Sequence, residues 1–229
     1  MSAKRLISDF AIKGCGLRHL YGGRFQKLTR AVLDEIDLQH LRDTERAASF
    51  ADRPQFYRYI HESCINGSAV DYLEFGVYKG DSIREWIGLN THGESRFFGF
   101  DSFEGLPEYW RPGQNRGHFD VQGKIPQVDD SRVTFVKGWF DSTIPTFAGQ
   151  FCSRNRLILH LDADLYGSTM LALVHFTPFM SKGTLLIFDE FYDRDHEFKA
   201  FRDWLKMTGK TFRVVAEVDG FAKICAELQ

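Results

Sequence analysis

The sequence predicts an α/β protein, built on an open and mostly parallel sheet that ends in an antiparallel hairpin. Three observations carry this. From Val70 onward, short apolar runs alternate with helical segments, the rhythm of right-handed βαβ units with a sheet covered on both faces. Two of those runs, Leu157–Leu161 and Leu185–Phe188, read as buried strands that each deliver carboxylates to a strand tip. Finally, Thr211–Val218 and Phe221–Ala226 flank Asp219-Gly220, the strongest short-range hairpin signal.

Composition bounds the answer. A chain of 229 residues, 43% hydrophobic and 26% charged, fits one large domain with a small helical preface. Its 22 phenylalanines suffice for a dense core and apolar cleft walls. A formal charge of −2 leaves no electrostatic footprint for nucleic acid, so a small neutral or polar substrate is the easier partner. Cys15, Cys64, Cys152 and Cys225 lack CxxC spacing, which argues for reduced thiols over zinc or a disulfide framework. No run approaches a membrane span, and the expected location is cytoplasmic. An apolar preface raises the expectation of a homodimer.

Taken in order, residues 1–67 form the preface and 68–229 the main domain. Leu28, Val32, Leu33, Ile36, Leu38 and Leu41 have helical spacing. Asp52 then caps a second helix with Pro54 in its first turn, and Asn66-Gly67 stops it. Strands follow at 70–77, 96–101, 133–137, 156–162 and 183–189, with helices at 81–90, 142–150, 166–180 and 195–208. Residues 105–130, with four glycines and three prolines, have no regular pattern. Loops this long inside a compact domain are usually functional, and Tyr109, Trp110 and Phe119 favour a lid over a disordered insertion.

Carboxylates at neighbouring parallel strand tips converge on the crevice where open α/β sheets bind ligands. Glu74 stands near the end of a buried strand, where an ionised acid needs a partner such as a ligand ammonium. Gly76 allows close backbone approach to a ligand, and Gly80 opens a helix whose free N–H groups favour acceptors. Asp101 ends the next strand, either holding ribose hydroxyls or, with Ser102, capping a turn. Gly138 and Trp139 end the third strand, where the indole either stacks on adenine or belongs to the core. Asp162, Asp189 and Glu190 together suggest a hard divalent cation, magnesium before calcium, unless lysine or arginine neutralises them. Asp164 is the candidate general base. His160, on the same face as Asp162, reads rather as a satisfied core histidine, and His118 and Tyr109 stay open as bases.

Five motifs occur together and in order: Leu73–Gly80, Phe100–Pro107, Lys137–Pro145, Leu161–Met170 and Ile187–Phe191. In them the chain resembles the macrocin O-methyltransferase (TylF) family, which includes sugar O-methyltransferases dependent on S-adenosylmethionine and magnesium. The resemblance implies a Rossmann-like class I methyltransferase fold, whose parallel sheet ends in an antiparallel hairpin. It also implies S-adenosylmethionine at Glu74, Phe75, Gly76, Val77, Tyr78, Gly80, Ser82, Asp101, Ser102, Phe103, Gly138, Trp139 and Asp162. Magnesium would sit at Asp162, Asp189 and Glu190, and a sugar hydroxyl would accept the methyl group, with Asp164 and Asp162 catalytic. Where the family usually has two aspartates, this chain has Asp189-Glu190, one methylene longer. Rival readings are a catechol or phenol acceptor, a nicotinamide-dinucleotide oxidoreductase, which the missing GxGxxG opposes, and a non-catalytic binding protein.

Overall fold

A computed structural model describes residues 47–229; the helical spacing of Leu28–Leu41 lies outside them. The chain enters with a short strand, β1 (Ala48–Phe50), where the sequence predicted only helix. Three half-exposed residues carry no readable period, and their pairing with a distant strand fixes them. Helix α1 (Arg53–Ile60) follows, with Asp52 accepting from the Gln55 N–H at 2.9 Å and Pro54 in the first turn. It continues through a wider turn, His61–Ile65, and stops at Asn66 in the left-handed conformation.

The remaining elements are β2 (Val70–Phe75), α2 (Asp81–Leu89), β3 (Arg96–Asp101), β4 (Val133–Lys137), α3 (Phe140–Ala148), β5 (Arg156–Leu161), α4 (Tyr166–Phe176), β6 (Leu185–Phe188), α5 (Glu197–Thr208), β7 (Phe212–Val218) and β8 (Lys223–Leu228). They form one eight-stranded sheet in the order β1-β7-β8-β6-β5-β2-β3-β4. β8 inserts between β6 and β7 and is antiparallel to both, while every other pairing is parallel. The fold is thus the predicted α/β class with its terminal hairpin. The hairpin loop takes four residues, Asp219–Ala222, rather than the two read from Asp219-Gly220.

The alternation of each strand divides the core between two faces. Val70, Tyr72, Ile158 and Ile187 pack beneath Phe56, Tyr57 and Ile60 of α1 and Ile83 and Trp86 of α2. Leu73, Phe75, Leu159, Leu161 and Phe188 face α3, α4 and α5, where Phe176, Phe201 and Trp204 fill the layer. β2 lies between β3 and β5, so the chain winds outward from it in both directions. The carboxyl ends of β2 and β5 therefore form the switch point at which such sheets hold ligands.

At the opposite end of the sheet, the fully buried Asp71 is clamped by Arg96, at 2.9 and 2.7 Å, and by the Arg154 and Asn155 N–H groups. Burial opposes ionisation, but these donors prevail and hold the Asp71 pKa below its ordinary value. A depressed acid pKa contributes stability above the unfolded value, and that stability is lost as pH falls through the folded one. Asp71→Asn is expected to cost about 3 kcal/mol at pH 7, because Arg96 loses its charged partner. Urea melts should show the gap between variant and parent closing as pH drops below about 4.

Candidate active site

Three strands end in polar side chains on the face covered by α1 and α2. Glu74 follows Tyr72 on β2, His160 follows Ile158 on β5, and Asp189 follows Ile187 beyond β6, each at a spacing of two. Parallel register places His160 beside both Glu74 and Ile187. Asp162 extends the same row past the tip of β5. The result is a crowded group in which one donor atom each from His160, Asp162 and Asp189 lies within 4.8 Å of the other two.

Glu74 is fully buried, and its oxygens accept from the Tyr72 and Ser82 hydroxyls, both at 2.6 Å. The partner expected from a ligand is therefore supplied by the protein, and Ser82, expected at the cofactor, is spent on Glu74. His160 Nδ1 lies 2.6 Å from Tyr72 Oη and 3.7 Å from Glu74, and Nε2 lies 3.3 Å from Tyr57 Oη. Burial works against charging this ring, yet Asp189, Glu74 and Asp162 outweigh it and raise the His160 pKa to about 9.

Asp189 is 7% exposed. Lys223, at the start of β8, donates to its Oδ2 and, at 3.0 Å, to its carbonyl oxygen. The neutralising lysine weighed against a metal in the sequence is thus present on one side of this carboxylate. Oδ1 remains buried without a hydrogen-bond partner. Burial would raise the Asp189 pKa, but His160 and Lys223 pull it well below the carboxylate range.

Glu190, expected as a third ligand, does not join this group. It lies 3.9 Å from Arg111 and is hydrogen-bonded to Tyr192, while its backbone N–H donates to the buried Glu197. Glu190 Oε2 is nonetheless buried without a hydrogen-bond partner, and the third member of the close group is His160.

The remaining acids hold more negative charge than the local cations balance. Burial, then the charge of Asp189, pushes Asp162 well above its ordinary pKa. Burial, then Glu190, raises Asp164 to about 8. Asp164 has a left-handed backbone, φ 58°, at the turn between β5 and α4. An unpartnered buried oxygen on Asp189 and excess acid around it are the features a divalent cation satisfies, so these residues fit one.

Expected cofactor segments come together at the tips of β2, β3 and β4. Gly76 N–H donates to Phe100 O, and Gly138 N–H to Asp101 O, both at 2.9 Å, which aligns the three turns. α2 starts at Gly80 without a side-chain cap, and free N–H groups at a helix start are suited to acceptor groups. Asp101 shapes the β2–α2 turn by accepting from the Val77 and Tyr78 N–H groups at 2.8 and 2.7 Å, and from Phe103 N–H at 2.7 Å. Ser102 likewise accepts from Glu104 N–H, so the turn-capping reading of this pair is realised. Phe75, Val77 and Phe103 are core residues, whereas Tyr78 is exposed and Trp139 half-buried at the start of α3. An uncapped helix end beside an exposed Tyr78 and a half-buried Trp139 is a cradle that fits a nucleoside with a charged tail.

Residues 105–130 fold over this edge in short turns, without helix or strand, as the sequence predicts. Leu106 and Trp110 pack on Leu165, next to Asp164, and the Trp110 indole N–H donates to Asp193 at 2.9 Å. Arg111 stacks on Trp110 and reaches Tyr192 and Glu190. Phe119 meets Tyr78, with centroids 5.5 Å apart. The loop thus roofs the crevice. His118 packs on Phe119 and Tyr109 is 56% exposed, and neither enters the acid group.

Comparison with known proteins matches residues 54–224 to the macrocin O-methyltransferase (TylF) family model. The chain belongs to this family. The 8-demethyl-8-(2,3-dimethoxy-alpha-L-rhamnosyl)-tetracenomycin-C 4'-O-methyltransferase of Streptomyces olivaceus is 31% identical, over 58% of each chain. Mycinamicin III 3''-O-methyltransferase of Micromonospora griseorubida is 37% identical, over 58% of this chain and 59% of the relative. The chain thus spans less than two thirds of these relatives' length. Among solved structures, the O-methyltransferase NovP superposes with a TM-score of 0.60 at 21% identity, covering 76% of this chain and 78% of that one. The calicheamicin methyltransferase CalS11 gives 0.58 at 21% identity, covering 82% and 86%. These two show the shared fold. The macrocin O-methyltransferase match runs from the first turn of α1 to the second residue of β8, and so takes in the whole acid group, Lys223 included. Among the described residues, no helix is long and apolar enough to cross a membrane.

Proposed function

We propose that this protein transfers the methyl group of S-adenosylmethionine to a hydroxyl of a sugar or glycosylated metabolite, using a divalent cation. The observation that carries the reading is the gathering of Asp162, Asp189 and His160 at the β2–β5 switch point, with the charge of Asp164 acting on Asp162, beside an open cradle on β2 to β4. Family membership and relatives named for O-methylation of glycosylated products support the acceptor class.

Asp162 and Asp189 would hold the cation; magnesium is the ion implied by the sequence resemblance. When bound, such an ion lowers the pKa of a hydroxyl and fixes its oxygen. The turn Gly76–Gly80, Asp101 and Trp139 would seat the donor, with Trp139 against the adenine. Asp164, at the turn between β5 and α4 two residues beyond Asp162, would take the hydroxyl proton. The 105–130 loop, pinned through Trp110 to Asp193, would exclude water and orient the acceptor. Methyl transfer needs little covalent help beyond this positioning.

The test is a binding and turnover pair. S-adenosylhomocysteine at a hundred times its Kd should stabilise the protein by about 2.7 kcal/mol, while NAD leaves Tm unchanged. Radiolabelled methyl transfer should then favour glycosides over catechols and stop in chelator. Stabilisation by NAD alone would overturn the reading, and preference for catechols would replace its acceptor.

A further inference from the structure

The turn between β6 and α5 holds three parts of the site at once. It begins at Asp189, in the acid group. Tyr192 and Asp193 anchor the roof through Arg111 and the Trp110 indole, the latter at 2.9 Å. His196 Nδ1 accepts from the Tyr166 N–H at 3.2 Å, at the start of α4 just beyond Asp164. Glu197 closes this segment. It is fully buried at the first position of α5, and its Oε2 accepts from the Glu190 N–H at 2.9 Å, seven residues back across the turn. The carbonyl of that same Asp189–Glu190 peptide accepts from Lys223 at 3.0 Å, so the peptide is gripped from both sides. Glu197 Oε1 has no hydrogen-bond partner among the described residues. Acids in a first helical turn ordinarily serve the helix itself, through its free N–H groups and its dipole. Glu197 instead stays half-satisfied in the interior, where such a group costs stability, and gives its hydrogen bond to a strand tip.

We propose that Glu197 is a positioning residue for the reaction. With Lys223 it clamps the Asp189–Glu190 peptide, fixing the Asp189 carboxylate for the cation and the Tyr192–Asp193 anchors for the roof. The proposal rests on the methyl-transfer reading above. The clamp needs an acceptor oxygen at position 197 and no more. Glutamine therefore serves there, whereas methionine, of similar volume but without that oxygen, does not.

Glu197→Met and Glu197→Gln separate this role from simple packing. With Mg²⁺ as the probe, calorimetry should give a Kd weakened about 10-fold in Glu197→Met and parental in Glu197→Gln. The S-adenosylhomocysteine Kd should be the same in all three proteins, because the donor cradle lies on other strands. Nitrogen–proton correlation spectra should show the Trp110 indole N–H exchanging with water faster in Glu197→Met alone. Either the Mg²⁺ affinity or the Trp110 exchange unchanged in Glu197→Met would overturn the assignment, as would a Glu197→Gln protein equally impaired. If the parent binds no Mg²⁺, the cation reading falls and the Trp110 comparison decides the role of Glu197 by itself. Should Glu197→Met not fold, hydrogen exchange in the unsubstituted protein decides it: a protected Glu190 amide upholds the clamp, and a freely exchanging one overturns it.

Discussion

Asp162→Ala is expected to lower methyl transfer by about 10³-fold while S-adenosylhomocysteine still binds. The two effects separate because Asp162 ends β5 among Asp189, Asp164 and Lys223, whereas the donor cradle is built from β2, β3 and β4. Stability should move in the opposite direction from activity. A partly buried acid whose folded pKa is raised binds its proton more tightly in the native state, so it destabilises the fold increasingly as pH rises above its unfolded pKa. Removing it should raise Tm of the cation-free protein at pH 7, and the gain should vanish below about pH 4, where the unfolded state is protonated too. With cation present the order should reverse, since the parent alone retains the full ligand set. Calorimetric Tm values with and without chelator check both signs. Undiminished turnover of Asp162→Ala in chelator would sink the assignment of this acid.

The strand tips were legible because an apolar run followed by a carboxylate has few meanings in a parallel sheet. Asp162 and Asp189 meet, as the spacing implied. Glu190 stands outside the close group, turned toward Arg111 and Tyr192. Strand alternation, applied at i and i+2, puts His160 with Asp162, a signal present in the sequence but read there as core. Both descriptions hold, since the ring is fully buried and hydrogen-bonded, yet faces Asp189. Lys223 was not readable as a partner of Asp189. Only the antiparallel register that pairs Phe188 with Ile224 brings it there from the far end of the chain. Strand β1 was likewise hidden, because three residues are too short a run to show a period, and only their pairing with Ala216–Val218 makes them a strand. The loop was legible as irregular, but its anchors on Asp193 and Tyr192 depend on the position of the β6–α5 turn.

Gly76→Ala should be the most damaging of the glycine-to-alanine changes among the described residues. Gly76 was read as a site of close approach to a ligand, and it also comes close to the protein's own backbone. With φ at 97°, a Cβ there would lie 1.8 Å from the Asp162 carbonyl oxygen and 2.8 Å from its carbon. Neither segment can retreat. Gly76 N–H is bonded to Phe100 O at 2.9 Å and Asp162 N–H to Phe75 O at 3.0 Å, so both are locked into the sheet ladder. The substitution combines left-handed strain with a backbone clash, and a loss above about 4 kcal/mol is expected, enough to unfold a marginal domain. Gly67→Ala is the control, since φ there is 72° but nothing lies within 4 Å, and strain alone should cost about 1 kcal/mol. Guanidinium melts followed by far-ultraviolet dichroism compare the two. If Gly76→Ala were no worse than Gly67→Ala, then β2 and β5 would not meet as closely as described. The carboxylate of Asp162, carried on that same peptide, would then lose its fixed position beside Asp189.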